Sequence, residues 1–141
     1  MLVRPPPWKA AHVSKPLFEA AKAAMANSHS PYSKFPVGAA IRAADGRIYA
    51  GCNIENLSFP EGICAEGSAI AHMVMGGAKE IVEVAVIAEK LDMCPPCGGC
   101  RQKLAEFAAP EVKVWLCDAD GPKLAMTMGE LLPAGFKTKL G

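Results

Sequence analysis

The sequence predicts an α/β layered domain with part of its sheet parallel, on three observations. Short apolar runs suited to strands alternate with segments of helical character. The chain has 141 residues, a length that suits one domain of about 100–200 residues. Hydrophobic residues make up 51% of it and charged residues 21%, enough to fill a core and incompatible with intrinsic disorder.

Each element follows from local chemistry. Residues 1–14 read as a loosely held arm, because Pro5-Pro6-Pro7 supports neither a helix nor a central strand. Ser14 followed by Pro16 is a helix start, and 15–27 is rich in helix formers. Leu17, Ala20, Ala21, Ala24 and Met25 recur at helical spacing, an apolar stripe suited to packing on a flat surface. Ser30-Pro31-Tyr32-Ser33 breaks the pattern. Val37–Ala43 and Arg47–Cys52 flank Asp45-Gly46, a hairpin signature that predicts two antiparallel strands. A polar loop carrying Asn53, Glu55 and Asn56 closes at Pro60-Glu61-Gly62. From Cys64 to about Val74, small and apolar residues predict a buried helix stopped by Gly76-Gly77.

Ile81–Ala88 is apolar enough for a central strand. The run Cys94 to Cys100 is a loop leading into a helix of roughly 100–108, and Val112–Cys117 is a fourth strand ended by Asp118-Ala119-Asp120-Gly121. Met126–Met128 adds a short edge strand before Gly129–Leu132. There is no internal repeat and no low-complexity tract.

Charge and hydropathy exclude several functions. Fifteen Lys and Arg against fourteen Asp and Glu leave +1, too little for electrostatic capture of nucleic acid or an anionic membrane. Lys137 and Lys139 make a solvated tail rather than a binding patch. The most continuous apolar stretch, Val84 to Ala88, is far short of the roughly 20 residues of a membrane span. The first fifteen residues lack the apolar core of a secretory signal, so a reducing cytoplasm is expected. There a cysteine cluster binds metal or does chemistry rather than forming disulfides.

The chemistry concentrates in Cys64-Ala65-Glu66 and Pro96-Cys97-Gly98-Gly99-Cys100, separated by one strand. Each set of thiols falls at the predicted N-terminal end of a helix. Two residues between Cys97 and Cys100 let both sulfurs turn onto one metal, while Cys64 approaches from the other helix. Three sulfurs leave the fourth tetrahedral position of zinc open, the geometry of a catalytic site. Glu66 sits two positions from Cys64, so it can face that position without being a ligand; alone, it would read as a first-turn acid favouring the helix dipole.

The alternative is a closed structural site, with Cys94 as fourth ligand through its own spacing to Cys97. Cys94 is read instead as a spare loop thiol near the metal. Cys52 and Cys117, at strand ends, are read as buried inert thiols. His72 lies some 12 Å along the helix from Cys64 and is read as packed or surface-exposed; His12 and His29 have no partner pattern.

Taken in order, these motifs resemble the cytidine deaminase family, specifically its small, single-domain, homotetrameric members. The resemblance covers about 17–136. It is carried by Pro31-Tyr32-Ser33 with Phe35, Val37-Gly38-Ala39-Ala40, Asn53-Ile54-Glu55-Asn56 with Ser58-Phe59, and Cys64-Ala65-Glu66. Pro96-Cys97 to Cys100-Arg101-Gln102 and Leu131-Leu132-Pro133 with Phe136 complete it. Each motif is weak alone, and the ordered set is specific.

The resemblance implies a three-layer α/β/α domain over 15–141, with a mixed, about five-stranded sheet. It implies one zinc ion per subunit on Cys64, Cys97 and Cys100, and hydrolysis of cytidine and 2′-deoxycytidine to uridine, 2′-deoxyuridine and ammonia in pyrimidine salvage. This is the zinc-deaminase chemistry in which a non-ligand glutamate, here Glu66, carries the protons. Asn53 and Glu55 are then expected to bind the ribose 3′-hydroxyl, with Phe35 and Ala65 against the nucleoside. Phe136 is expected to reach a neighbouring subunit's pocket in a homotetramer. Cysteine rather than histidine at position 64 sets the chain apart from free-base deaminases of the wider superfamily.

One residue departs from the pattern. The family usually carries Arg after Cys-Ala-Glu, where it helps neutralise the thiolates, and this sequence has Gly67. Three thiolates and Zn²⁺ sum to −1, or −2 once the bound water loses a proton, and two helix N-termini offset about one unit. Arg101 is the nearest cation in sequence, and Gln102 is a candidate donor to a cysteine sulfur. Gly67 therefore points to a less acidic water or a roomier pocket. It keeps open the same chemistry on a modified cytosine nucleoside or a blasticidin-like aminopyrimidine, against which Asn53 and Glu55 weigh. A non-catalytic zinc-binding module would leave Glu66 unexplained, and a polynucleotide deaminase would want a basic channel.

Overall fold

The computed structural model describes residues 14–137. Its elements are α1 (Lys15–Met25), β1 (Val37–Ala43), β2 (Ile48–Cys52), a 3₁₀ turn (Phe59–Glu61) and α2 (Ala65–Met75). They continue with β3 (Ile81–Ala88), α3 (Gly98–Phe107), β4 (Ala108–Asp118), β5 (Gly121–Thr127) and α4 (Met128–Leu131). Residues 1–13 of the expected arm, with His12, lie outside the described residues, as does Lys139.

The five strands form one sheet in the order β2-β1-β3-β4-β5. Only β3 and β4 run parallel, joined through α3, and the other pairings are antiparallel. Period-2 alternation sends neighbouring side chains to opposite faces. Ala40, Ala85, Ile87, Trp115 and Cys117 pack with Leu17 and Ala21 of α1. Ala39, Ile41, Val84, Val86, Val114 and Leu116 pack on the other face with Ala69 and Met73 of α2 and Leu104 of α3. The expected three-layer α/β/α arrangement with a mixed five-stranded sheet is therefore present.

Ser14 starts α1, its Oγ accepting the Leu17 N–H at 3.1 Å, with Pro16 in the first turn. The stripe of small residues lets α1 lie close on the sheet. A Cβ on Gly38 would stand 2.0 Å from the Ala21 carbonyl oxygen, and one on Gly51 would stand 2.3 Å from the Ala69 nitrogen. The β1–β2 hairpin is thus clamped between α1 and α2, and its end fixes where α2 begins.

Several boundaries differ from the sequence reading, three of them by enough to change how the elements join. Helix α3 starts at Gly98 rather than about 100, so Cys97 is its N-cap. Strand β4 begins at Ala108, directly after α3, instead of Val112. The edge strand is Gly121–Thr127 rather than Met126–Met128, because it pairs only with β4 and most of its residues are half-buried. An edge strand tolerates Pro122, which reads as a turn in sequence. Met128 opens α4 under a capping box made by Thr127 and Glu130. Among the described residues, no helix is long and apolar enough to cross a membrane.

Candidate metal centre

Cys64 and Cys97 occupy the same position on two helices that lie on the same face of the sheet. Cys64 is the N-cap of α2 (φ −74°, ψ 158°) and Cys97 the N-cap of α3 (φ −64°, ψ 166°). Neither side chain makes a capping hydrogen bond, as expected of thiols, which are weak acceptors. Their sulfurs are left to face each other, with Sγ–Sγ at 3.8 Å. Cys100, in the first turn of α3, joins them, and all three Sγ atoms lie within 4.8 Å of one another.

The donor set fits zinc. Tetrahedral coordination at a Zn–S length near 2.3 Å separates two sulfurs by about 3.8 Å. Three thiolates at two helix N-termini supply a soft donor set in a partly compensating field. Cys94 stands outside the cluster and is buried in the core, with its thiol pushed up to about 11 by burial. A closed four-thiolate centre is therefore not what these residues build. Cys117 is buried, and burial pushes its thiol up to about 12; Cys52 is half-buried. His72 sits on the surface with Nδ1 3.1 Å from the Ala50 carbonyl oxygen and its ring edge-on to Tyr49.

The three thiols are not equivalent. The hydrogen bond with Cys100 brings Cys64 down to about 6; burial opposes this, while Cys97 and the charge of Lys103 assist it. Cys100 moves the other way, raised first by that same bond and then by burial. Cys64 thus ionises before Cys100. Glu66, in the first turn of α2, is the buried charged residue among those described, at 4% exposure. Burial raises its pKa, its own backbone N–H counters this, and the nearby Cys64 charge adds to the rise. Ala65, fully buried, separates the two.

A second group converges from the loops. Ile54 and Ile63 exchange both backbone hydrogen bonds at 2.9 Å, which brings segment 53–55 alongside the residue preceding Cys64. Asn53 donates through Nδ2 to the Phe35 carbonyl and accepts through Oδ1 from the Val37 N–H, both at 2.9 Å. Glu55 Oε1 accepts the N–H groups of Tyr32 (3.0 Å) and Ser33 (3.1 Å), and the Ser33 hydroxyl donates to Oε2. These bonds, Ser33 above all, hold the Glu55 carboxyl below its ordinary value. Tyr32, Ser33, Glu55, Asn56, Phe59 and Gly62 line a cavity of about 380 Å³, the size of a small-ligand site. Phe35 is half-buried against the α2-side core.

Other expected residues are placed elsewhere. Arg101 donates through Nε to the Pro96 carbonyl (2.8 Å) and through its guanidinium to the Leu131 carbonyl (3.0 Å). The Gln102 amide pairs with the backbone N–H and C=O of Phe136, each at 3.3 Å. Phe136 itself is 76% exposed, beside a larger cavity of about 630 Å³ between α3 and the C-terminal segment that no thiol lines. Gly67 opens towards Lys103: a Cβ there would stand 3.5 Å from the Lys103 ammonium nitrogen. Sequence reasoning missed Lys103, although three residues after Cys100 on a helix places it on the same face. It also missed the Ile54–Ile63 pairing, which two isolated residues cannot announce.

The chain has relatives of known kind. A family model described as the cytidine and deoxycytidylate deaminase zinc-binding region matches residues 12–116. The chain is 42% identical over 120 residues to a cytidine deaminase of Sporosarcina psychrophila, covering 85% of this chain and 88% of that protein. It is 35% identical over 113 residues to the cytidine deaminase of Mycobacterium tuberculosis, covering 80% and 81%. The fold is similar to the crystal structure of cytidine deaminase from Burkholderia pseudomallei, with TM-score 0.82, 37% identity, and coverage of 88% of this chain and 99% of that one. A structure from Mycobacterium leprae is similar at TM-score 0.73 and 42% identity, covering 84% and 95%.

Proposed function

The chain belongs to the cytidine and deoxycytidylate deaminase family, and we propose on that premise how its own residues carry out the reaction. It is a zinc-dependent hydrolase that converts cytidine and water to uridine and ammonia, and 2′-deoxycytidine likewise. The observation that carries this reading is the open set of three sulfurs, Cys64, Cys97 and Cys100, next to one buried carboxylic acid. Cys64, Cys97 and Cys100 would hold one zinc ion per subunit, which would supply a water activated near neutral pH.

Glu66 moves the protons. Its raised pKa and its burial in the first turn of α2 suit a group that accepts a proton at one stage and returns it at the next. It takes one proton of the attacking water and delivers it to N3 of the cytosine ring, then takes the second from the new C4 hydroxyl and gives it to the amine, which leaves as ammonia while C4=O forms. Asn53 and Glu55 hold the ribose 3′-hydroxyl. Glu55 is anchored by two backbone N–H groups yet retains acceptor capacity, and Asn53 keeps one Nδ2 hydrogen beyond the one given to Phe35. A site built around a hydroxyl rejects analogues that lack it, which favours nucleosides over free cytosine. Phe35 and Ala65 flank the base.

The active form is a homotetramer in which Phe136 completes a neighbouring subunit's site. Supporting this, Phe136, Leu57 (79%), Phe59 (72%) and Met75 (86%) are large apolar side chains left exposed on the single chain. The setting is pyrimidine salvage in a reducing cytoplasm, where free thiols persist. Chromatography of products from cytidine, 2′-deoxycytidine and free cytosine tests the substrate class. Conversion of both nucleosides with free cytosine untouched is expected; equal use of free cytosine would contradict the ribose assignment.

A further inference from the structure

We propose that Lys103 is the cation that balances the three-thiolate centre, reaching it across the bare backbone of Gly67. Three thiolates and a zinc ion sum to −1, and an ionised Glu66 makes the group −2. The N-termini of α2 and α3 return on the order of +0.5 each, which leaves about one negative charge in a partly buried place. A buried net charge is costly unless a counter-charge stands near.

Two cations lie close in the fold, and geometry separates them. The Arg101 guanidinium is committed to the carbonyls of Pro96 and Leu131. Lys103 makes no ion pair among the described residues. Glu106, one turn further along α3, lines the same groove as Ile63, Gly67 and Lys103 without pairing with it. The Lys103 side chain runs over α2 where position 67 would project: a Cβ there would stand 3.5 Å from Nζ and 3.9 Å from Cδ. Glycine keeps that lane clear. Position 67 lies one turn on from Cys64 in α2, and Lys103 one turn on from Cys100 in α3, so the ammonium group stands beside the first turns that carry two of the three sulfurs. Lys103 acts through those sulfurs, so it is a positioning residue rather than a catalytic one. The inference rests on zinc being held by the three cysteines and is independent of which nucleoside is turned over.

The loaded centre keeps all three sulfurs anionic at once, whereas the apo-protein can protonate them, so a fixed cation beside them favours the loaded state. The test is the rate at which zinc passes from loaded protein to a chromogenic chelator at pH 6.5 and low salt. It compares the parent with Lys103→Met, Lys103→Arg and the double variant Gly67→Arg/Lys103→Met. Lys103→Met should release zinc faster, on the order of tenfold, and Lys103→Arg should behave as the parent. The double variant should recover retention, because an arginine at position 67 projects into the space the lysine vacates. Release from Lys103→Met at the parent's rate would overturn the proposal. So would fast release that neither arginine variant corrects, since that would mark lost packing rather than lost charge. Turnover of cytidine by the parent, measured alongside, is a separate result: its failure would remove the substrate reading and leave the retention comparison standing.

Discussion

At the scale of single residues, the site depends on cysteines doing a poor job of something else. Cys97 stands where helices favour Ser, Thr, Asp or Asn, and its thiol caps nothing. Cys97→Ser should therefore separate two properties. The apo-protein should melt no lower than the parent, with up to about 1 kcal/mol gained from a true N-cap, while bound zinc falls towards zero by metal analysis. Glu55 provides a second separation. Its carboxyl is held below the ordinary value, chiefly by Ser33, so its contribution to stability is present above the unfolded pKa and lost as pH falls through the folded one. Urea unfolding of the parent between pH 6 and 3 should show that loss, and Glu55→Gln should flatten it. The thiols and Glu66 were legible in sequence because their spacing is local: Cys97 and Cys100 share one helical turn, and Glu66 follows Cys64 closely. Lys103 was not, because its relation to Gly67 exists only once α2 and α3 lie side by side.

At the scale of elements, the metal centre is positioned by the hairpin beneath α2. Gly51 gives α2 room to approach β2, and the Ile54–Ile63 pairing ties the following loop to the start of the same helix. Gly51→Ala would press a methyl group into the Ala69 backbone, at a cost of about 1–3 kcal/mol. Thermal melting should show the loss, and zinc retention should fall with it as the α2 N-terminus is displaced from α3. Residues 81–88 matched their expected strand end to end because a central strand has apolar neighbours on both faces, which its sequence reports. The β5 edge was read too short for the converse reason: with one pairing partner and half-buried residues, Pro122 and Lys123 carry no alternation. The early start of β4 was hidden by Pro110 and Glu111, which sit in the strand's exposed first half.

At the scale of the whole molecule, an exposed phenylalanine whose backbone pairs, among the described residues, with the Gln102 amide is at odds with a finished monomer surface. If Phe136 completes a neighbouring site, Phe136→Ala should lower kcat/KM for cytidine by on the order of tenfold or more while each chain keeps its zinc. Light scattering on the parent should give the mass of four chains. A parent that scatters as a monomer and turns over fully would remove this role for Phe136. No stripe of the sequence encodes the assembly, so only the family resemblance raised it, whereas the α/β layering followed from periodicity and the candidate thiols from their spacing.

The central claim is that three cysteines hold a zinc ion beside one proton-carrying carboxylic acid. It is tested most directly by following the loss of cytosine-ring absorbance when cytidine meets the zinc-loaded parent and Glu66→Gln in parallel, with zinc content measured in both. The expected result is rapid loss with the parent and none detectable with the variant, at one zinc ion per chain in each. Turnover by Glu66→Gln at a rate near the parent's, with zinc fully bound, would contradict the account.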